Sequence, residues 1–175
     1  MLKVDPWDGQ GETMSRFIAF LFGLIGAVGA SQAPEFTQQY LQNLKGGVDR
    51  LTEVVERFDA DAALSNMSRN EAVEYCQRDE RPENGMSCRN RAEDVADYIK
   101  YRKQLDELEG ADPWQRPIYL ARNFDEKIAK STYESYKPAV PTTVVGGGYA
   151  LAGFALLWGV ISLILGLVTA PFRRY

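Results

Sequence analysis

A chain of 175 residues with a net charge of −4 has room for one modest domain and offers no basic surface to recommend nucleic acid as a partner. It holds no histidine and only two cysteines, which removes the commonest general base, the commonest transition-metal ligand and any thiolate cage. Catalysis, a cofactor and a metal centre are therefore not expected.

Residues 1–13 read as a polar, structureless tail. Met14-Ser15-Arg16 would make an ordinary start for a membrane segment, so translation from either Met1 or Met14 fits the pattern. The uncharged run from Phe17 to Ala30 covers 14 residues, about 21 Å of helix. That length suits a signal-peptide core, and Val28 and Ala30 occupy the small-residue positions that precede a cleavage site. A span over 14–33, extended through Ser31, Gln32 and Ala33, fits equally, and the small residues Ala19, Gly23, Gly26 and Ala30 favour it. Their 4,3,4 spacing forms a stripe on which a second helix can approach closely. Gln32 and Glu35 read as interfacial polar residues that end the span.

The stripe continues past the apolar run at Tyr40, Leu44, Gly47, Leu51, Val54 and Phe58, a coiled-coil-like heptad. Pro34 interrupts it by removing the bond to the Ala30 carbonyl, and predicts a bend there. Gly46-Gly47 weakens the helix further on. Ser68 and Glu71 have capping-box spacing and start a short helix that ends near Gln77. The charged stretch Arg78–Met86 reads as a loop, Ser87 as the cap of a helix running to Glu109, and Gly110 as its stop. Asp112-Pro113 looks like another helix start. Pro117 leaves open whether regular helix begins before or after it, and a single helix with Ile118, Ala121, Phe124, Ile128, Tyr133 and Tyr136 on a mainly apolar face then runs to the linker at Pro138 and Pro141. Between Ser31 and Thr142 there are 16 Lys or Arg against 21 Asp or Glu, mixed in sign as on solvated helical faces. Asp59, Asp61, Asp79, Glu80 and Glu83 lack the order and closing glutamate of a calcium loop.

Gly146–Phe172 holds no charge over 27 positions, more than the ~20 residues a helix needs to cross a bilayer. Gly148, Ala152, Ala155, Gly159, Ser162 and Gly166 are spaced 4,3,4,3,4 along it, so this stripe is expected to pack on Ala19–Ala30. Gly159 belongs to that seam, and Leu157 points elsewhere. Tyr149 suits an aromatic belt, and Trp158 suits lipid-facing bulk. Arg16 precedes the first apolar stretch and Arg173-Arg174 follow the second, which puts both ends in the cytoplasm and the middle across the membrane. A disulfide between Cys76 and Cys88 would persist there.

The run Ser31-Gln32-Ala33-Pro34-Glu35-Phe36-Thr37-Gln38-Gln39-Tyr40, directly after a short span, resembles the signature of a proteobacterial inner-membrane family known as domain of unknown function 2937. The resemblance covers most of the chain from Met14. It implies a two-span membrane protein and carries over no activity, cofactor or catalytic residue; the cysteine pair and residues 1–13 depart from it.

The expected fold is all-α: a membrane helical hairpin carrying an extracytoplasmic antiparallel bundle. Its parts are a tail (1–13), a first span or signal peptide (14–33), a helical domain (34–137), a linker (138–145), a second span (146–172) and a cytoplasmic tail (173–175). Membrane lipid and another membrane protein, or a second copy, are the expected partners. The expected role is structural or accessory. An oligomeric channel or transport component is the alternative, with only Ser162 and Thr169 as polar residues inside the second span. A carboxylate-based envelope enzyme is less favoured, because a narrow bundle seldom supplies a cleft.

Overall fold

The computed structural model describes residues 8–79 and 85–169, and among them the chain is all-α, with six helices and no strand. These are α1 (Asp8–Leu64), α2 (Arg69–Arg78), α3 (Gly85–Gly110), α4 (Arg116–Arg122), α5 (Glu126–Ser135) and α6 (Val144–Thr169). Two compact units result. One comprises the described residues up to Thr37 and from Lys137 onward, the other Gln38–Tyr136.

α1 begins at Asp8, so residues 8–13 are helical rather than structureless. Once a long helix is nucleated, each further residue adds a bond for little entropy, which carries α1 back through Gly11 and Gly9 to Asp8. The helix also continues through Pro34, which is buried within it. Nearby hydroxyls bond back to the same backbone: Ser31 donates to the Val28 carbonyl and Thr37 to the Ala33 carbonyl, each at 2.8 Å.

In the first unit α6 starts at Val144, two residues ahead of the predicted Gly146. Thr143 supplies the reason, because its hydroxyl accepts the Gly146 N–H at 3.0 Å and its carbonyl accepts the Gly147 N–H at 2.9 Å. That satisfies orphan donors of the first turn. The Gln32 amide donates to the Ala139 carbonyl at 3.2 Å and ties the linker to α1.

In the second unit α1 buries Tyr40, Leu44, Val48, Val55, Phe58 and Ala62. The expected heptad departs from this after Gly47: Val48 and Val55 are buried, whereas Leu51 and Val54 are half-buried. A straight helix turns every 3.6 residues and drifts ~20° per heptad, so the buried stripe slips by one position. α2 has the predicted capping box at Ser68 and Glu71 and buries Ala72 and Cys76. α3 starts at Gly85, which puts Ser87 inside the helix rather than at its cap, and buries Ala92, Val95, Tyr101, Leu105 and Leu108. Asp112 accepts the Trp114 N–H at 2.9 Å and shapes a turn, and α4 begins only at Arg116 with Pro117 in its first turn.

The single helix expected from Ile118 to Tyr136 is two helices, broken at Asn123–Asp125. Asp125 is the N-cap of α5, its carboxylate accepting the Ile128 N–H at 3.1 Å. The break resets the helical phase. Leu120, Ile128 and Thr132 are buried, while Ile118, Phe124 and Tyr133 of the predicted face are exposed.

Candidate functional site

Two features of the molecule bring predicted site residues together. The first is the contact of α1 with α6. A β-carbon on Gly26 would lie 2.4 Å from the Gly153 carbonyl oxygen and 2.8 Å from Leu157 Cβ. One on Gly153 would lie 2.3 Å from the Gly26 carbonyl oxygen and 2.4 Å from Ala30 Cβ. The two backbones thus meet at Gly26 and Gly153, at a separation only glycine allows. One turn away, the Phe154 ring lies against Gly23, 2.7 Å from where a β-carbon would stand. Phe154 in turn meets Phe20 edge-on at 5.6 Å and stacks on Trp158 at 6.5 Å between ring centroids. Such aromatic pairs add to area burial alone.

On α1 the contact falls among the predicted residues: Ala19 and Gly23 are buried, and Gly26 and Ala30 face Gly153. On α6 it does not. Gly159 and Gly166 have nothing within 4 Å of a built β-carbon, and Ala152 and Ala155 are exposed, whereas Leu157 lies against Gly26. Gly148 and Ser162 are half-buried. The expectation for Gly159 and Leu157 is reversed. The contact residue missed in the sequence is Gly153. Its signal was present: Gly146, Ala150, Gly153 and Leu157 share a face with the same 4,3,4 spacing. Arg16 is exposed near the start of α1, and Arg173 and Arg174 lie outside the described residues, as do Glu80 and Glu83.

The second feature is a disulfide joining Cys76 of α2 to Cys88 of α3, with Cα atoms 5.0 Å apart and a sequence separation of 12. It borders an apolar cluster of Val55, Phe58, Ala62, Ala72, Ala92 and Val95. Two ion pairs flank it. Arg69 holds Asp59 through bonds of 2.8 and 2.5 Å, which lowers the Asp59 carboxyl below its usual range, and Arg91 reaches Asp61 at 2.9 Å. These carboxylates are committed to arginines, and among the described residues no three His, Cys, Asp or Glu side chains cluster as a metal site would require.

Deeper in the bundle, a polar network surrounds Asp125. The Tyr40 hydroxyl accepts the Asp125 N–H at 2.8 Å and donates to Gln104 Oε1 at 3.0 Å, while Gln104 donates to the Asn123 carbonyl. The Asp125 carboxylate receives Lys100, Tyr101 and the Ile128 N–H. Burial pulls the Asp125 carboxyl up, but the Lys100 and backbone bonds outweigh it, and the net shift is downward. Burial, reinforced by the Asp125 charge, pushes Tyr101 up to about 12. No buried side-chain polar atom among the described residues lacks a partner. The network locks the break between α4 and α5 onto α1 and α3.

A family model described as a protein of unknown function (DUF2937) matches residues 14–174. The chain belongs to this family. No curated protein and no solved structure matches it. The match takes in α1 from Met14 onward and all of α2 to α6.

Proposed function

We propose that this DUF2937 protein is a non-catalytic, two-span protein of a bacterial inner membrane. Both termini are cytoplasmic, the bundle is periplasmic, and its role is to bind or stabilise another membrane protein through helix packing. The observation that carries the reading is α6. Its 26 residues cover about 39 Å, more than the ~30 Å hydrocarbon core of a bilayer. None of its most apolar stretch is buried within the protein, and Leu151, Leu156, Leu163 and Leu167 point outward. A core helix of a water-soluble protein buries such a surface; a bilayer solvates it.

A retained first span, rather than a cleaved signal, is supported by the unbroken run of α1 through Val28–Ser31 and by the seating of Gly26 and Ala30 against Gly153. The disulfide supports an oxidising compartment for the bundle. Arg16, exposed just before the apolar stretch of α1, supports a cytoplasmic N-terminus. A non-catalytic role is supported by the engagement of the buried carboxylate, since Asp125 caps α5 and pairs with Lys100 instead of facing a cleft. Affinity purification of the full chain from native membranes tests the role. A stoichiometric membrane-protein partner is expected, and recovery of the chain alone under conditions that preserve known complexes contradicts it.

A further inference from the structure

Glycines 46 and 47 stand in the interior of α1, where each weakens a helix relative to alanine. At Gly26 and Gly153 close backbone contact repays that. Here nothing inside the protein does. A β-carbon on Gly46 would meet no atom within 4 Å, and one on Gly47 would make ordinary contacts of 3.7 Å to Ile128 and 3.9 Å to Tyr101. Neither residue has a positive φ. Alanine would fit at both positions, so neither the fold of the bundle nor its backbone geometry calls for glycine. A local rule broken without an internal reason is expected at functional sites.

What the missing side chains create is a groove of about 640 Å³ between α1, α3 and α5, within the size range of ligand sites. Gly46 and Gly47 form one wall, and the half-buried Leu51 and Val54 supply apolar surface beside it. Lys127 is neutralised by Asp97 at 2.9 Å. Arg50 is different: its Nε reaches back to the Gly46 carbonyl at 3.4 Å, and no carboxylate among the described residues pairs with it. The groove therefore carries one uncompensated cation on a protein whose net charge is −4.

We propose that this groove docks a polypeptide segment of a partner protein, one that carries a carboxylate beside apolar side chains. The segment's apolar side chains lie across Gly46-Gly47 beside Leu51 and Val54, and its carboxylate takes the planar, bidentate face of the Arg50 guanidinium. This rests on the partner-binding role proposed above and gives it a location and a chemistry.

The test uses the full chain in detergent micelles and a displayed library of random twelve-residue peptides. Selected peptides are expected to combine Asp or Glu with Leu, Ile or Phe. Their binding should weaken at least tenfold in Arg50→Glu, which reverses the charge, and in Gly46→Phe, which fills the groove from a position with open space around it. Arg57→Glu, on an exposed residue paired with Glu53, should bind as the parent does. Gly46→Ala should fold with an unchanged or higher unfolding midpoint, showing that the glycine is not there for the fold. Selection of nothing, selection without acidic bias, equal binding to Arg50→Glu and Gly46→Phe, or displacement of the peptides by anionic phospholipid vesicles each overturns the proposal. A partner that co-purifies equally with the parent and both groove variants would remove the groove while leaving the accessory role intact. Absence of any partner would remove the role itself.

Discussion

Replacing Gly153 by alanine should destabilise the protein, although the same change at Gly159 should stabilise it. A β-carbon at 153 would sit 2.3 Å from the Gly26 carbonyl oxygen and 2.4 Å from Ala30 Cβ. Ordinary contacts are ~3.3 Å for carbon to oxygen and ~3.5 Å or more for carbon to carbon, so α1 and α6 must separate by about 1 Å. A gap of that size forfeits a quarter to a half of each dispersion contact along the seam. Overpacking of this kind costs about 1–3 kcal/mol. At Gly159 a methyl group meets nothing within 4 Å, and the intrinsic gain of alanine over glycine in a helix, up to about 1 kcal/mol, is all that remains. Trp158 stacks on Phe154 at the seam and reports on it. With Trp7→Phe and Trp114→Phe in the background, Trp158 fluorescence during titration with a denaturing detergent gives the unfolding midpoint of full-length protein. Opposite signs for the two substitutions are predicted. A destabilising Gly159→Ala beside a neutral Gly153→Ala would overturn the Gly26–Gly153 contact and return the seam to the Gly148–Gly166 stripe.

Tyr40→Phe removes the acceptor of the buried Asp125 N–H and should cost about 1–3 kcal/mol in equilibrium unfolding, with no loss of helix content in the folded baseline. Asp125 has a folded pKa below its ordinary 3.8, so its contribution is complete above about pH 4 and fades as pH falls through the folded value. An Asp125→Asn variant should therefore be less stable near neutrality and show a shallower acid limb than the parent; parallel limbs would contradict this. Maleimide labelling of denatured, non-reduced protein should find no thiol, and two after reduction. Cys76→Ser/Cys88→Ser should lose roughly 3 kcal/mol on the chain-entropy account, read from unfolding midpoints with and without reductant.

Local signals were legible and relational ones were not. Ser68 and Glu71 announce α2 because a capping box is a property of four consecutive residues, and Gly110 ends α3 for the same reason. The stripe on α1 was legible because Phe20, Leu21, Phe22, Leu24 and Ile25 set Ala19, Gly23 and Gly26 apart as small residues. On α6 small residues occupy several faces, so spacing alone admits more than one seam, and only the partner helix selects Gly153 over Gly159. The break at Asn123–Asp125 hid inside a run whose apolar residues kept a helical period across it. Its signal was Asp125 placed three residues before Ile128, an N-cap without the glutamate that completes a box. The Tyr40–Gln104–Asp125 network joins residues 64 and 85 positions apart, and no sequence period records that.

The proposed topology, with the bundle across the membrane from both termini, is open to direct measurement. Compartment-sensitive reporters fused to the N-terminus, to the C-terminus, and within the exposed turn at Asp112 of the full chain measure this. A cytoplasmic signal from both end fusions and an extracytoplasmic signal from the Asp112 insertion are expected. A cytoplasmic signal from Asp112, or from all three positions, would contradict it.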